Sequence, residues 1–239
     1  MGQRGSQRLA LFFPALRWPV LLLLGLFLVI VFAFFSGAVL VAFRRLGLPP
    51  EVALTMFVFA LVGSFINIPI AEERAYEPVI KLREVSFFGF LYPIPYFGVE
   101  ERRMIISINV GGALVPLSIV LYELIRIAML GQYGLLFNTL LAVLIAALIC
   151  NAVSVPVRGV GIAMPSIVPP LVAVLLGWLL GDGNPTLVAY VSGTLGALLG
   201  ADIMNWKKLK HLDAPMVSIG GAGTFDGVFL AGVIAVLLV

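Results

Sequence analysis

From Pro19 to Phe43 the chain carries no charged residue. A helix crosses the hydrocarbon of a bilayer with about 20 apolar residues, and the apolar core of a secretory signal spans only about 7–15. The run therefore reads as a retained first span. Backbone groups inside lipid must be satisfied within the protein, which leaves helices or a closed barrel. Further apolar runs stand at about 52–70, 104–130, 134–155, 159–181, 185–204 and 219–239, parted by "RRLGLPPE", "GQYG", "PVRG", "GDGNP" and "NWKKLKHLDAP". The expectation is an all-α, polytopic transmembrane helix bundle of about seven spans, some of them broken. Composition agrees: 62% of residues are hydrophobic and 11% charged, where a soluble domain has about 25% charged.

The domain layout expected is a basic tail, 1–18, followed by a single transmembrane domain, 19–239. With the tail in the cytoplasm, twelve of the 15 basic residues fall inside and only Arg44, Arg45 and Arg126 outside. Lys and Arg favour cytoplasmic loops, so the N-terminus is expected in the cytoplasm and the C-terminus outside. The net charge of +3 resides in those loops, and no nucleic-acid partner is expected. The single cysteine, Cys150, excludes an internal disulfide. His211 sits among lysines and reads as a surface residue. No metal site and no cofactor are expected.

Residues 71–103 are too charged to span. Pro93 and Pro95 interrupt "FFGFLYPIPYFG", and aromatic residues favour the headgroup zone. The segment reads as an interfacial, aromatic- and proline-rich loop or hairpin, with a substrate-gating lid as the sharper functional reading.

Four stretches carry helix-disturbing residues at membrane depth: "INIPI" (66–70), "NVGGALVP" (109–116), "GIAMPSIVPP" (161–170) and "GGAGT" (220–224). Breaks in lipid are tolerated where they line a cavity, and transporters use them to aim half-helix ends at a ligand. Asn67, Asn109, Pro165, Gly220, Gly221, Gly223 and Thr224 are thus candidate binding positions, with Arg158 and Asn205 beside them. Ser192, Gly196 and Gly200 form a small-residue ridge, and Gly223, Gly227 and Ala231 repeat the spacing. Such ridges let helices approach closely, so the sixth and seventh spans are expected to pack tightly.

Acids within spans are costly and functional by default. Glu123 has Arg126 three residues on and reads as an ion pair near the outer end of its span. Asp202 ends the sixth span, Asp226 opens the seventh, and neither has a basic residue within a turn of its own helix. The short connection between them makes the helices antiparallel neighbours. Two close carboxylates cannot both ionise cheaply, and one takes a proton, the arrangement by which paired aspartates activate water. Asn205 is placed to hydrogen-bond Asp202. If the seventh helix packed on the Gly196–Gly200 ridge, Asp202 would face elsewhere and the pair would fail. Asp226 has a structural alternative as a cap at a helix N-terminus.

"NVGGALVPL" (109–117), "VRGVGIAMPSIVPPLVA" (157–173), "AYVSGTLGALLGADIMN" (189–205) and "VSIGGAGTFDGVFLAGVIAVLL" (217–238) resemble the DUF1614 family of prokaryotic membrane proteins. The resemblance implies a polytopic protein of a prokaryotic plasma membrane and brings no activity with it. "LLGAD" (198–202) is more weakly similar to the Gly-x-Gly-Asp motif of the presenilin and prepilin-peptidase group, with Leu199 and Ala201 around Gly200 and with the second acid following. That likeness implies intramembrane aspartyl proteolysis by Asp202 and Asp226.

Three readings follow. The first is an intramembrane aspartyl hydrolase acting on a membrane peptide. The second is a small-solute or ion transporter built on broken helices, and the third a non-catalytic membrane assembly protein. The lipid bilayer is the one partner all three require, and the oligomeric state is open.

Overall fold

The computed structural model describes residues 14–87, 90–157, 161–209, 216–221 and 227–239. The chain divides into two compact units, Met1–Val39 and Leu40–Val239. The described part of the first belongs to helix α1 (Pro14–Arg45), whose apolar side chains from Val20 to Phe32 are all exposed. A helix apolar on every face suits lipid on every side.

The second unit opens with the last turns of α1 and continues in α2 (Pro50–Gly63), which has Pro50 in its first turn, where a missing N–H costs nothing. Two long antiparallel strands follow, β1 (Asn67–Phe87) and β2 (Phe90–Asn109), in register from Asn67↔Asn109 to Phe87↔Phe90 with one irregularity between Pro69 and Ala71. A π-helical segment (Val110–Leu114) leads directly into α3 (Val115–Met129), and α4 (Tyr133–Val153) returns. Two short antiparallel strands, β3 (Val155–Val157) and β4 (Gly161–Ala163), precede α5 (Val168–Leu180). Next come α6 (Pro185–Ala197), a second π-helical segment (Leu198–Ile203), α7 (Trp206–Leu209), β5 (Met216–Ile219) and α8 (Gly227–Leu238). Strand β5 runs parallel to β2, pairing Ile105↔Met216 to Ile108↔Ile219, so the sheet order is β1-β2-β5.

Helix α6 is the centre of the bundle and packs on α4, α5 and α8. Every side chain from Leu187 to Thr194 is buried. Small residues make this possible: Gly196 and Gly200 leave no room for a Cβ against Ala146, Ala147 and Cys150 of α4. On another side, Gly193 meets Ala231 of α8, and Gly232 lies under Tyr190 and Thr194. Tight packing of the sixth and seventh spans is therefore present, but the Gly196–Gly200 ridge faces α4 and leaves α8 to other residues.

The architecture corrects the expectation of an all-α seven-span bundle. Each of the seven apolar runs contains a helix, but only four helices among the described residues are long and apolar enough to cross a membrane: Trp18–Arg45, Val110–Met129, Tyr133–Val153 and Pro185–Ile203. Pro50–Gly63, Val168–Leu180 and Gly227–Leu238 are apolar but shorter. The shortfall has one cause. The runs that yield short helices, 52–70, 159–181 and 219–239, each begin or end in strand residues of β1, β4 or β5, because a buried apolar strand and a buried helix look alike in hydropathy. Residues 71–103 are correspondingly paired strands, with no irregular loop within their described part.

Candidate functional site

The four stretches read as broken helices are junctions between sheet and helices. "INIPI" is where α2 ends and β1 begins. "NVGGALVP" is where β2 becomes α3. "GIAMPSIVPP" holds β4 and the start of α5, with Pro169 and Pro170 in its first turn. "GGAGT" follows β5, and its described part is Gly220 and Gly221.

Three of these junctions meet. Asn67 and Asn109 are the first pair of the hairpin. Buried Asn109 donates from Nδ2 to the Ser64 carbonyl (2.8 Å) and to Asn67 Oδ1 (3.1 Å), while its Oδ1 accepts from the Gly112 N–H (2.7 Å). It thereby caps the π-helical segment and holds the end of α2 against it. Asn67 Oδ1 also accepts from the Ser218 hydroxyl on β5 (2.6 Å). A buried polar group must be hydrogen-bonded or it costs stability, and these side chains meet that need through one another. The backbones come equally close. A Cβ on Gly112 would collide with the Gly220 carbonyl, and one on Gly111 with Ala60 and Ser64. Gly220 and Gly221 have φ of +75° and +86°, a region glycine enters without steric cost.

Asp202 reaches this junction from the second π-helical segment. Its Oδ2 accepts a hydrogen bond from the Gly220 N–H at 2.9 Å. The π-helical segment displaces backbone carbonyls from their usual partners, and asparagines cover two of them. Asn205 Nδ2 donates to the carbonyls of Gly200 (3.1 Å) and Ala201 (2.9 Å), and Asn151 Nδ2 also donates to Gly200 (3.1 Å). Asn205 thus binds backbone, where the sequence had placed it on Asp202. Its Oδ1 is buried and accepts no hydrogen bond from the described protein.

Of the candidate residues, Asn67, Asn109, Gly220, Gly221 and Asp202 come together, with Asn205 three residues beyond Asp202. Pro165 lies exposed in the turn before α5, and no bond of this network reaches it. Arg158, Gly223, Thr224 and Asp226 lie outside the described residues. Ser64, Ser218 and Gly112 were missed as participants. Lone serines give little signal in an apolar context, although "NVGG" did carry Gly112.

Glu123 and Arg126 form their expected pair at 2.8 Å, but Glu123 is completely buried rather than interfacial. Arg126 also donates to the Leu46 carbonyl (3.2 Å) and lies over the Tyr122 ring. No group of three or more metal-ligating side chains occurs among the described residues.

A family model described as a protein of unknown function (DUF1614) matches residues 61–238. The chain belongs to the DUF1614 family. The match covers α3 to α8 and almost all of the junction, including Asn67, Asn109, Asp202 and the Gly220–Gly221 turn. No curated protein and no solved structure matches. The weaker likeness to the presenilin and prepilin-peptidase group finds no support in these comparisons.

Proposed function

We propose that this membrane protein works at the junction of sheet and helices, as a hydrolase in which Asp202 and Asp226 share a proton and a water and cleave a membrane peptide. The observation that carries the reading is the hydrogen bond from the Gly220 N–H to Asp202 Oδ2. It ties the first acid to the turn that leads, six residues on, to the second. Two further observations support it. Val228, two residues after Asp226, belongs to the same apolar cluster as Ala197 and Leu198, about one helical turn from Asp202. Asn205 Oδ1 is a buried acceptor three residues from Asp202, suited to hold a water. The arrangement that would have turned Asp202 away, α8 on the Gly196–Gly200 ridge, is absent, because that ridge faces α4.

The orientation proposed is N-terminus inside. Strands β2 and β5 pair, so the segments holding them share one side of the membrane. Besides the four-residue α7, four helices, α3 to α6, lie between the two strands, and an even number of crossings returns the chain to the same side. The short α2 and α5 both count as crossings on this reading. Lys81, Arg83 and Lys208 then sit in the cytoplasm.

The assembly-protein reading is favoured by a different aspect of the same bond: a carboxylate that caps Gly220 already has a structural task. The transporter reading has less support. The groove between α2 and α3, about 450 Å³, is lined by apolar groups such as Met56, Phe59, Val62 and Leu114, which suit lipid tails better than a polar solute.

The test uses the purified full chain in proteoliposomes with a membrane-spanning reporter peptide. Asp202→Asn and Asp226→Asn should each abolish cleavage while elution profile and Tm stay near the parent's. Cleavage by either variant at the parent rate would end the proposal, and a large Tm loss in Asp202→Asn without any parental cleavage would favour the assembly role.

A further inference from the structure

The β1–β2 hairpin leaves the protein's core soon after its root. Ala71, Met104 and Ile106 still pack into the apolar cluster with Leu198 and Val228. Farther out the side chains lie open, with Phe97 84%, Leu82 69% and Ile80 68% exposed. Directly paired residues share a face of a ribbon and successive ones alternate. Ile80↔Phe97 and Leu82↔Pro95 therefore lie on one face, while Lys81↔Tyr96, Arg83↔Ile94 and Val85↔Tyr92 lie on the other. One side is apolar from Ile80 and Phe97 to Leu82 and Pro95, with Glu84 opposite Pro93 at its outer end, and its reverse carries two cations and two tyrosines.

A two-stranded ribbon alone in water is at best marginally stable, and contiguous apolar exposure marks a surface that meets something. Its edges are poor places for that meeting. Pro78 in β1 and Pro93 and Pro95 in β2 remove ladder donors, a common protection against strand addition. The partner therefore meets a face. Its chemistry follows from how charge is distributed. Glu72, Glu73, Glu77, Glu100 and Glu101 are confined to the inner half, whereas Val79 to Gly98 holds Lys81 and Arg83 against Glu84 alone. Aromatics with Lys and Arg are the side chains of the headgroup zone. Gly98 lets the Lys81 stem lie across onto β2, since a Cβ there would come within 3.1 Å of Lys81 Cδ. Strand β2 also runs directly into the Val110–Met129 span, whose first turn is π-helical, so a lipid surface is always at the ribbon's root.

We propose that the outer ribbon, residues 79–86 of β1 with 92–98 of β2, docks on the anionic lipid surface of the leaflet from which it emerges. Ile80, Leu82, Pro95 and Phe97 enter the headgroup layer, and Lys81 and Arg83 reach round the thin ribbon to lipid phosphates. The docked residues lie about 23–30 Å along the strands from the point where the hairpin leaves the core. This inference does not depend on the hydrolase reading.

The experiment uses the full chain with Cys150→Ala and a single Phe97→Cys carrying an environment-sensitive fluorophore, in nanodiscs holding one copy each. The discs contain phosphatidylcholine with or without phosphatidylglycerol, and a quencher carried on lipid. In anionic discs the fluorophore should be blue-shifted and quenched by the lipid-borne group. Lys81→Glu and Arg83→Glu should each weaken the preference for anionic discs about fivefold. A fluorophore that stays unquenched in single-copy discs overturns the proposal. So does protection that develops only in discs loaded with two copies, which would make a second chain the occupant. Quenching indifferent to lipid charge and to both Glu variants would overturn the headgroup contact.

Discussion

The two ends of the β1–β2 hairpin follow opposite rules. At the root, Asn67, Asn109 and Ser218 are tied to one another and to backbone, and glycines bring chain segments so close that no Cβ fits between them. Farther out, large apolar side chains face outward and no described element packs on them. The root is built against the protein itself, and the outer ribbon is shaped for something else. A polar residue in an apolar chain thus has two uses: inside, it secures a junction; outside, it selects a surface.

Substitutions should separate the two ends. Gly112→Ala drives a methyl into the Gly220 carbonyl and should cost about 3 kcal/mol or more, read as loss of monodisperse protein in detergent. Asn109→Ala removes bonds to Ser64, Asn67 and Gly112 and leaves buried partners unmet, for about 2–4 kcal/mol. A clear fall in Tm checks it, and an unchanged Tm would mean the junction is not held this way. Asp202→Asn keeps an oxygen able to accept from Gly220, so its stability cost should stay below about 1 kcal/mol even as cleavage is lost. At the far end, Phe97→Ser should shift stability by no more than about 0.5 kcal/mol in detergent. A large destabilisation there would mean that the outer ribbon packs within the chain, and the contrast between the ends would collapse.

Much of this was legible in the sequence. The uncharged run after Arg17, the six later apolar runs and the pairing of Glu123 with Arg126 follow from length, hydropathy and spacing, and all have counterparts in the structure. The clustering of Asn67, Asn109 and Gly220 was half legible. Glycines, prolines and amides at membrane depth point to a shared site, but the same residue types equally mark breaks within helices. Strand residues such as Ile105, Ile108 and Ile219 are as apolar as helix residues, and nothing local distinguishes the two. The parallel pairing of β2 with β5 joins residues more than 100 positions apart, beyond the reach of periodicity. The π-helical turn at Leu198–Ile203 was invisible for a related reason: its backbone is satisfied by Asn205 and Asn151 from a turn and a helix away.

The proposed hydrolase requires that Asp202 and Asp226 meet. It is tested most directly by placing cysteines at both positions in a Cys150→Ala chain and treating it, in lipid, with thiol cross-linkers of graded length. The account predicts rapid cross-linking by the shortest reagents, those matching a one-water reach of about 5–6 Å, and a slower reaction with longer ones. Cross-linking that appears only with long reagents, in a protein whose Tm matches the parent's, would contradict it.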